Sequence, residues 1–261
     1  MEKLSFVTTS WDDGDRADLR LATLLRDKGM PGSFYIPILP FESRPALTHE
    51  ELRSLAAEGF EIGAHGVSHV PLWGLTEAKL TTEVGDSKAI LEDILDREVE
   101  MFCYPRGRFD RNVVRAVKRA GYRGARTVRM LSISLDFRPF EVPTTVQIFP
   151  HSRSSYLRNI ARARKVEGLQ TCISHATRLG NWLELAKRLF DSVYEQGGIW
   201  HLYGHSWEIE KLGLWEDLNE VLDYVSSRAG VHYVTNGELL HQVSANRPRA
   251  ELRDYENTDC P

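Results

Sequence analysis

Strand-like and helix-like segments alternate along most of this chain, and the alternation limits the folds that it can adopt. The β-rich segment 4–10 precedes a helical pattern over Asp18–Lys28, which stops at Gly29. The order recurs with a strand at Gly32–Pro37 and a capping-box sequence at residues 48–51 that opens another helix. Repeated β-then-α units are typical of a parallel sheet with helical crossovers, closed as a barrel or open. The length of 261 residues favours one barrel-like domain.

The rest of the chain continues this pattern. Further strands are predicted at 60–64, 98–104, 122–127, 142–149, 199–203 and 231–235, and further helices at 76–95, 110–120, 153–166, 183–196 and 215–227. Residues 246–261 are polar and are predicted to form a loose tail, which leaves residues 1–245 as the barrel domain.

Composition excludes several classes of protein. The 33 basic and 37 acidic residues give a formal net charge of −4, which argues against a nucleic-acid binder. Three widely spaced cysteines form no disulfide framework or zinc ribbon. We find no signal peptide and no apolar run near the ~20 residues of a membrane helix. The sequence therefore predicts a cytoplasmic protein without an integral membrane segment.

Two polar clusters directly follow predicted strands, where α/β folds gather their sites. Adjacent Asp12 and Asp13 repel each other unless a cation or donor compensates, so one can bind a metal while the other acts as a base. An acidic helix start is the alternative interpretation of this pair. His65 and His69, at i and i+4, can face one ion. Two nitrogens and one carboxylate would leave positions open for water and substrate.

Two further clusters are less specific. The turn through Pro105 and Arg106 can direct backbone N–H groups into a cleft as an oxyanion hole, although such a turn is often only a turn. His201 and His205 lie on or just beyond a predicted strand. Either can act as a general acid, because an unperturbed histidine titrates near neutral pH.

These four clusters, in this order, resemble the motifs of the polysaccharide deacetylases (NodB type, carbohydrate esterase family four). Ser10–Gly14 resembles the first motif, usually Thr-Phe-Asp-Asp-Gly, and His65–Leu72 resembles the second. Phe102–Gly107 is similar to the third motif in its Tyr-Pro-x-Gly variant, and the His205 segment takes the place of the last. The resemblance spans residues 4–240 and implies a distorted (β/α) barrel of about seven parallel strands.

The resemblance also implies a mononuclear divalent metal, with zinc as the first candidate and cobalt, nickel or manganese as alternatives. Its ligands would be Asp13, His65 and His69. Such a metal polarises an amide carbonyl and lowers the pKa of its bound water towards about 7.

Catalytic roles follow from the same resemblance. Asp12 would be the general base, the backbone N–H of Arg106 would stabilise the oxyanion, and His205 would protonate the leaving amine. The candidates for substrate contacts are Tyr104, Pro105 and Trp207.

Three departures from the family pattern bear on these roles. The arginine that often opens the third motif and pairs with the base is replaced by Cys103. We expect Arg126, at the end of the next strand, to supply the missing charge and to act with the catalytic residues. The fourth motif, usually built around Asp and Trp, has no clear counterpart. For the last motif we favour His205 over His201, because His205 falls past the strand end, where a side chain can reach the cleft.

The predicted function is metal-dependent hydrolysis of an N-acetyl or formyl group on an amino sugar or glycan precursor. Two alternatives stay open: hydrolysis of a cyclic amide or imide on the same fold, and a catalytically weak barrel that binds glycan. The expected partner is an N-acylated sugar, and the sequence leaves the oligomeric state open.

Overall fold

A parallel sheet forms the centre of the molecule. The computed structural model describes residues 4–152 and 181–245. Its strands are β1 (Ser5–Asp12), β2 (Ser33–Ile36), β3 (Glu61–Ala64), β4 (Met101–Cys103), β5 (Gly124–Arg126), β6 (Val146–Gln147), β7 (Gly198–Gly204) and β8 (Val231–Tyr233). They pair in the order β5-β4-β3-β2-β1-β7-β6, and β8 joins β1. Every pairing is parallel, as the β-then-α alternation predicts.

The sheet curls into a distorted barrel because one segment reaches both of its edges. Val142 forms a parallel bridge to Arg126 of β5, and its N–H donates to the carbonyl of Ala125 at 2.9 Å. A few residues later, β6 pairs with Leu202 and Tyr203 of β7. The predicted distorted (β/α) barrel is therefore confirmed.

Helices surround the sheet. They are α1 (Asp18–Asp27), α2 (His49–Ala57), α3 (Glu77–Leu80), α4 (Ser87–Leu95), α5 (Arg111–Arg119), α6 (Trp182–Gln196), α7 (Ser206–Leu212), α8 (Trp215–Val225) and α9 (Asn236–Ala245). The predicted capping box at Thr48 is confirmed, and Asp110 caps α5 by accepting two backbone N–H groups. In α6, Leu185, Leu189 and Val193 lie one turn apart and are fully buried, which contributes about 1.5–3 kcal/mol each.

Two predicted elements differ most from the structure. The helix expected at 76–95 is interrupted by a π-helical turn, Thr81–Asp86, between α3 and α4. The strand expected at 142–149 shortens to β6, because Val142 turns to bond β5 before the chain reaches β7. The helix expected at 153–166 and the tail at 246–261 lie outside the described residues, so the domain boundary at 245 stays a prediction.

Among the described residues, no helix combines the length and the apolar character that crossing a bilayer requires.

The barrel has a mouth and a floor. We call the carboxyl ends of the strands the mouth, and the amino ends, where α9 packs against β1 and β5, the floor. Asp12 ends β1, Arg126 ends β5, and His65 and His205 follow β3 and β7 directly. Because parallel strands end at the same edge of a sheet, these four side chains meet at the mouth.

Candidate metal centre and acid–base pair

Asp13, His65 and His69 converge on one point at the mouth. Oδ1 of Asp13 lies 3.3 Å from Nε2 of His69 and 3.8 Å from Nε2 of His65. This Oδ1 is buried and has no hydrogen-bond partner among residues 4–152 and 181–245. One ligand atom from each of the three residues lies within 4.8 Å of the others. Two imidazoles and one carboxylate, with further positions open, suit a catalytic divalent ion.

The protonation states of the two histidines also suit a metal. Nδ1 of His65 lies 2.8 Å from the carbonyl of Cys103, which turns Nε2 towards Asp13. Burial lowers the pKa of His65 to about 4. Burial, together with the neighbouring His65, lowers the pKa of His69 to about 4. Both rings are therefore neutral at physiological pH, as metal ligands must be.

Backbone geometry brings the two adjacent aspartates to the same centre. Side chains alternate between faces along a strand, so Asp13 would point away from Asp12 if β1 continued. Instead Asp13 has a φ of 80°, in the left-handed region. Nε2 of His205 lies 3.9 Å from Oδ2 of Asp12 and 4.0 Å from Oδ2 of Asp13. Burial raises the pKa of Asp13, and a bound cation would offset that burial.

Asp12, His65 and Cys103 also lie close enough to share an ion. Two observations favour the set with Asp13 instead. Asp12 already pairs with the guanidinium of Arg126. Burial raises the pKa of the Cys103 thiol well above its usual value, whereas a metal binds the thiolate.

Arg126, at the end of the edge strand β5, contacts Asp12 at the end of β1. The guanidinium is fully buried, and its Nη2 donates to Oδ1 of Asp12. Its carbon lies 4.9 Å from the ring centre of Tyr203 and 5.2 Å from that of Tyr35, so two aromatic faces flank the charge. Burial alone would raise the pKa of Asp12, but Arg126, with His65 and His205, lowers it to about 2. Asp12 is therefore ionised at neutral pH.

His205 and His201 have different surroundings. Nδ1 of His205 lies 2.6 Å from Oε2 of Glu208, while Nε2 faces the two aspartates. Burial lowers the pKa of His205, but Glu208 and the aspartates outweigh it and raise the pKa to about 8. His201 lies inside β7, with its two nitrogens 2.8 Å from Oγ of Ser10 and from the carbonyl of Pro143. Burial lowers its pKa to about 3, so the ring is neutral.

The other predicted site residues lie around this centre. Nε1 of Trp207 donates to Oδ2 of Asp13 at 2.9 Å, which leaves Oδ1 facing the histidines. Pro105 is buried, whereas Arg106 is exposed and has a φ of 56°. Tyr104 is fully buried, and its hydroxyl donates to the carbonyl of Phe140 at 3.0 Å. The roles predicted for these residues in substrate binding and in the oxyanion hole stay predictions.

Two acidic residues of the site were missed by the sequence analysis. Glu208 orients His205 from three residues further along α7, and the i, i+3 spacing was the available signal. Glu83 accepts hydrogen bonds from the loop between His65 and His69. No motif includes Glu83, and its distance along the chain gave no sign of this contact.

Comparison with known proteins shows which family the first half of the chain is similar to. Residues 3–125 match the family described as polysaccharide deacetylase. The predicted resemblance to the polysaccharide deacetylase family is confirmed. The match includes Asp12, Asp13, His65, His69 and the turn at Pro105, and it ends just before Arg126.

A curated Bacillus subtilis (strain 168) protein, named "Putative polysaccharide deacetylase YxkH", is 26% identical over 117 residues. The similar region covers 44% of this chain and 42% of that protein, so the chain matches about two fifths of its relative.

Solved structures of similar fold cover nearly the whole chain. A "putative polysaccharide deacetylase from Mycobacterium smegmatis" has a TM-score of 0.65 at 16% identity, over 95% of each chain. A family 4 acetyl xylan esterase from Clostridium thermocellum, in complex with a cobalt ion, has a TM-score of 0.57 at 14% identity. That comparison covers 93% of this chain and 96% of the esterase. At these identities the likeness shows the shared barrel.

Proposed function

We propose that this protein is a metal-dependent hydrolase that removes an N-acetyl or formyl group from an amino sugar or glycan precursor. The observation that carries the proposal is the buried Oδ1 of Asp13, which lies within 4 Å of two neutral imidazoles and beside an ionised Asp12. The match of residues 3–125 to the polysaccharide deacetylase family supports a hydrolase that acts on amide bonds of carbohydrates. Zinc as the metal and a cytoplasmic location stay predictions.

Asp13, His65 and His69 would hold the divalent ion. The ion would supply Lewis-acid chemistry by polarising the amide carbonyl and acidifying water. This help matters because Asp12, with a pKa of about 2, is a weak base unaided. Asp12 remains available as a proton acceptor at any working pH, and Arg126 fixes its direction.

His205 is suited to be the acid. With a pKa of about 8 it is protonated at neutral pH, and its Nε2 faces the same centre as the aspartates. It can therefore donate a proton to the amine that leaves when the amide C–N bond breaks. The hydrogen bond from Nδ1 to Glu208 fixes the ring and stabilises the protonated form.

The test measures metal content and acetate release together. Protein purified without added metal would be assayed with N-acetylglucosamine oligomers before and after chelation. We expect about one divalent ion per chain, with release lost on chelation and restored by zinc or cobalt. Asp13→Asn should bind the ion poorly, while Asp15→Asn, two residues further along the same loop, serves as a matched control.

Two results would contradict the proposal in different ways. Bound metal without acetate release would turn the search to formyl groups, cyclic amides or lipid-linked sugars. Sugar binding without turnover, unaffected by Asp12→Asn, would support a glycan-binding barrel.

A further inference from the structure

Glu83 is a buried carboxylate that the chemistry above does not use. Its side chain lies beneath the loop between the two metal-binding histidines and is 9% exposed. Oε2 accepts the backbone N–H groups of Val67 and Ser68, both at 2.9 Å. Oε1 accepts the Ser68 hydroxyl at 2.5 Å. Both carboxylate oxygens of Glu83 therefore accept hydrogen bonds from this loop.

The loop depends on such an external contact. Gly66 has a φ of 80° and His69 has a φ of 56°, so two of its residues adopt the left-handed region. For a residue other than glycine this conformation costs roughly 1–2 kcal/mol. A Cβ at Gly66 would lie 3.2 Å from Oε2 of Glu83, so the glycine also lets the carboxylate approach the backbone.

The π-helical turn gives Glu83 a rigid base. Thr81–Asp86 interrupts the helix, and both Glu83 and Val84 are buried in it. The carbonyl of Val84 accepts hydrogen bonds from the hydroxyls of Ser87 at 2.9 Å and Tyr122 at 3.1 Å. Turns of this kind are frequent at functional sites, because they alter the direction of side chains along a helix. Here the turn is anchored on one side and carries the carboxylate on the other.

We propose that Glu83 is a positioning residue that holds His65 and His69 in the geometry of metal ligands and thereby sets the affinity for a divalent ion. The inference rests on the proposed function and deepens it. Glu83 acts through Val67 and Ser68, the backbone between the two histidines. Without it, the loop would have to become ordered when the ion binds, and that cost would weaken binding.

Zinc affinity of the metal-free protein tests this proposal independently of activity. Wild type, Glu83→Ala and Glu83→Gln would be titrated with zinc against a chromophoric competing chelator. We expect Glu83→Ala to raise the zinc Kd by roughly 10- to 100-fold. Glu83→Gln should have a smaller effect, because its carbonyl oxygen can still accept the two backbone N–H bonds. Asp86→Asn removes a charge from an exposed position of the same turn and should leave the Kd unchanged.

A second measurement separates positioning from stability. Amide hydrogen exchange of the zinc-free protein should show that Val67 and Ser68 lose protection in Glu83→Ala, while the barrel strands keep theirs. If Glu83→Ala fails to fold, Ser68→Ala removes one of the three bonds and should raise the Kd by a smaller factor.

The outcomes distinguish this proposal from the function on which it rests. A folded Glu83→Ala protein with the zinc Kd of wild type would overturn the role of Glu83 alone. A wild-type protein without zinc affinity would overturn the metal centre, and the role of Glu83 with it.

Discussion

Two carboxylates inside the same barrel, one at the mouth and one at the floor, have opposite electrostatic surroundings. Asp12 at the mouth pairs with Arg126, and its pKa falls to about 2 despite its burial. Glu61 at the floor begins β3, and burial raises its pKa to about 7. Its partners are neutral donors: the hydroxyl of Ser33 at 2.5 Å and the N–H of Gly237, at the start of α9, at 3.1 Å.

The difference separates what each carboxylate can do. The buried guanidinium of Arg126 keeps Asp12 ionised, so its negative charge is available for chemistry at every working pH. Neutral donors link Glu61 to the first turn of α9 but do not compensate a full charge. We therefore expect changes at the mouth to alter catalysis, and a change at Glu61 to alter the pH dependence of stability.

The largest expected effect is on kcat, and it distinguishes His205 at the mouth from His201 within β7. His205→Ala should lower kcat by about 100- to 10,000-fold, because the proposed general acid is lost, while metal content stays unchanged. His201→Ala should lower kcat far less, because a neutral ring with a pKa of about 3 does not serve as the acid. Steady-state acetate release and metal analysis of both variants measure this. In wild type, kcat should decline above about pH 8, as His205 loses its proton. The reverse ranking of the two variants would assign the acid to His201.

Arg126→Met would leave the carboxylate at the mouth without a positively charged partner, as Glu61 is at the floor. It leaves Asp12 buried without its cation, so the free energy of unfolding should fall by about 3–5 kcal/mol. Turnover should fall as well, because Asp12 loses the group that fixes its direction and its raised pKa leaves less of the buried carboxyl ionised. Denaturant unfolding and acetate release test both effects. Arg129→Met, at an exposed arginine paired with Glu141, should cost no more than about 1 kcal/mol. Unchanged turnover in Arg126→Met would show that Asp12 does not need this partner.

The smallest expected effect concerns stability at the floor. The pKa of Glu61 is higher in the folded protein than its ordinary value of 4.5, so folding favours the protonated form. Its contribution to stability is complete below pH 4.5 and is lost as the pH rises through about 7, by on the order of 3 kcal/mol. Glu61→Gln should flatten the free energy of unfolding across this range, measured by denaturant titration. Glu98→Gln, at an exposed residue, should keep the wild-type profile, and an equally steep profile in Glu61→Gln would exclude Glu61 as the cause.

Much of the candidate site could be predicted from local sequence. Asp12, Asp13, His65 and His69 follow strands directly, and parallel strands bring their carboxyl ends together. The preference for His205 over His201 followed from its place beyond the strand end, and the structure gives their rings opposite pKa shifts. The catalytic roles of these residues stay predictions.

Two details of backbone geometry at the site could not be predicted from the sequence. The left-handed φ of Asp13 and the π-helical turn carrying Glu83 have no periodic signature in the sequence. Both depend on local conformations that the surrounding packing stabilises.

The sequence by itself determines the order of strands, helices and polar clusters, because hydrophobic periodicity and strand-end residues are local properties. The sequence does not determine the partners of the buried carboxylates. Asp12 meets Arg126 across 114 positions, and Glu61 meets Gly237 across 176. These pairs form because the sheet curls until Val142 reaches β5 and α9 packs at the floor. Closure of the barrel therefore decides which buried carboxylate is paired with a positively charged side chain. The pairing matters only in the folded protein, because burial in the core removes water from the carboxylate and a partner must offset that cost.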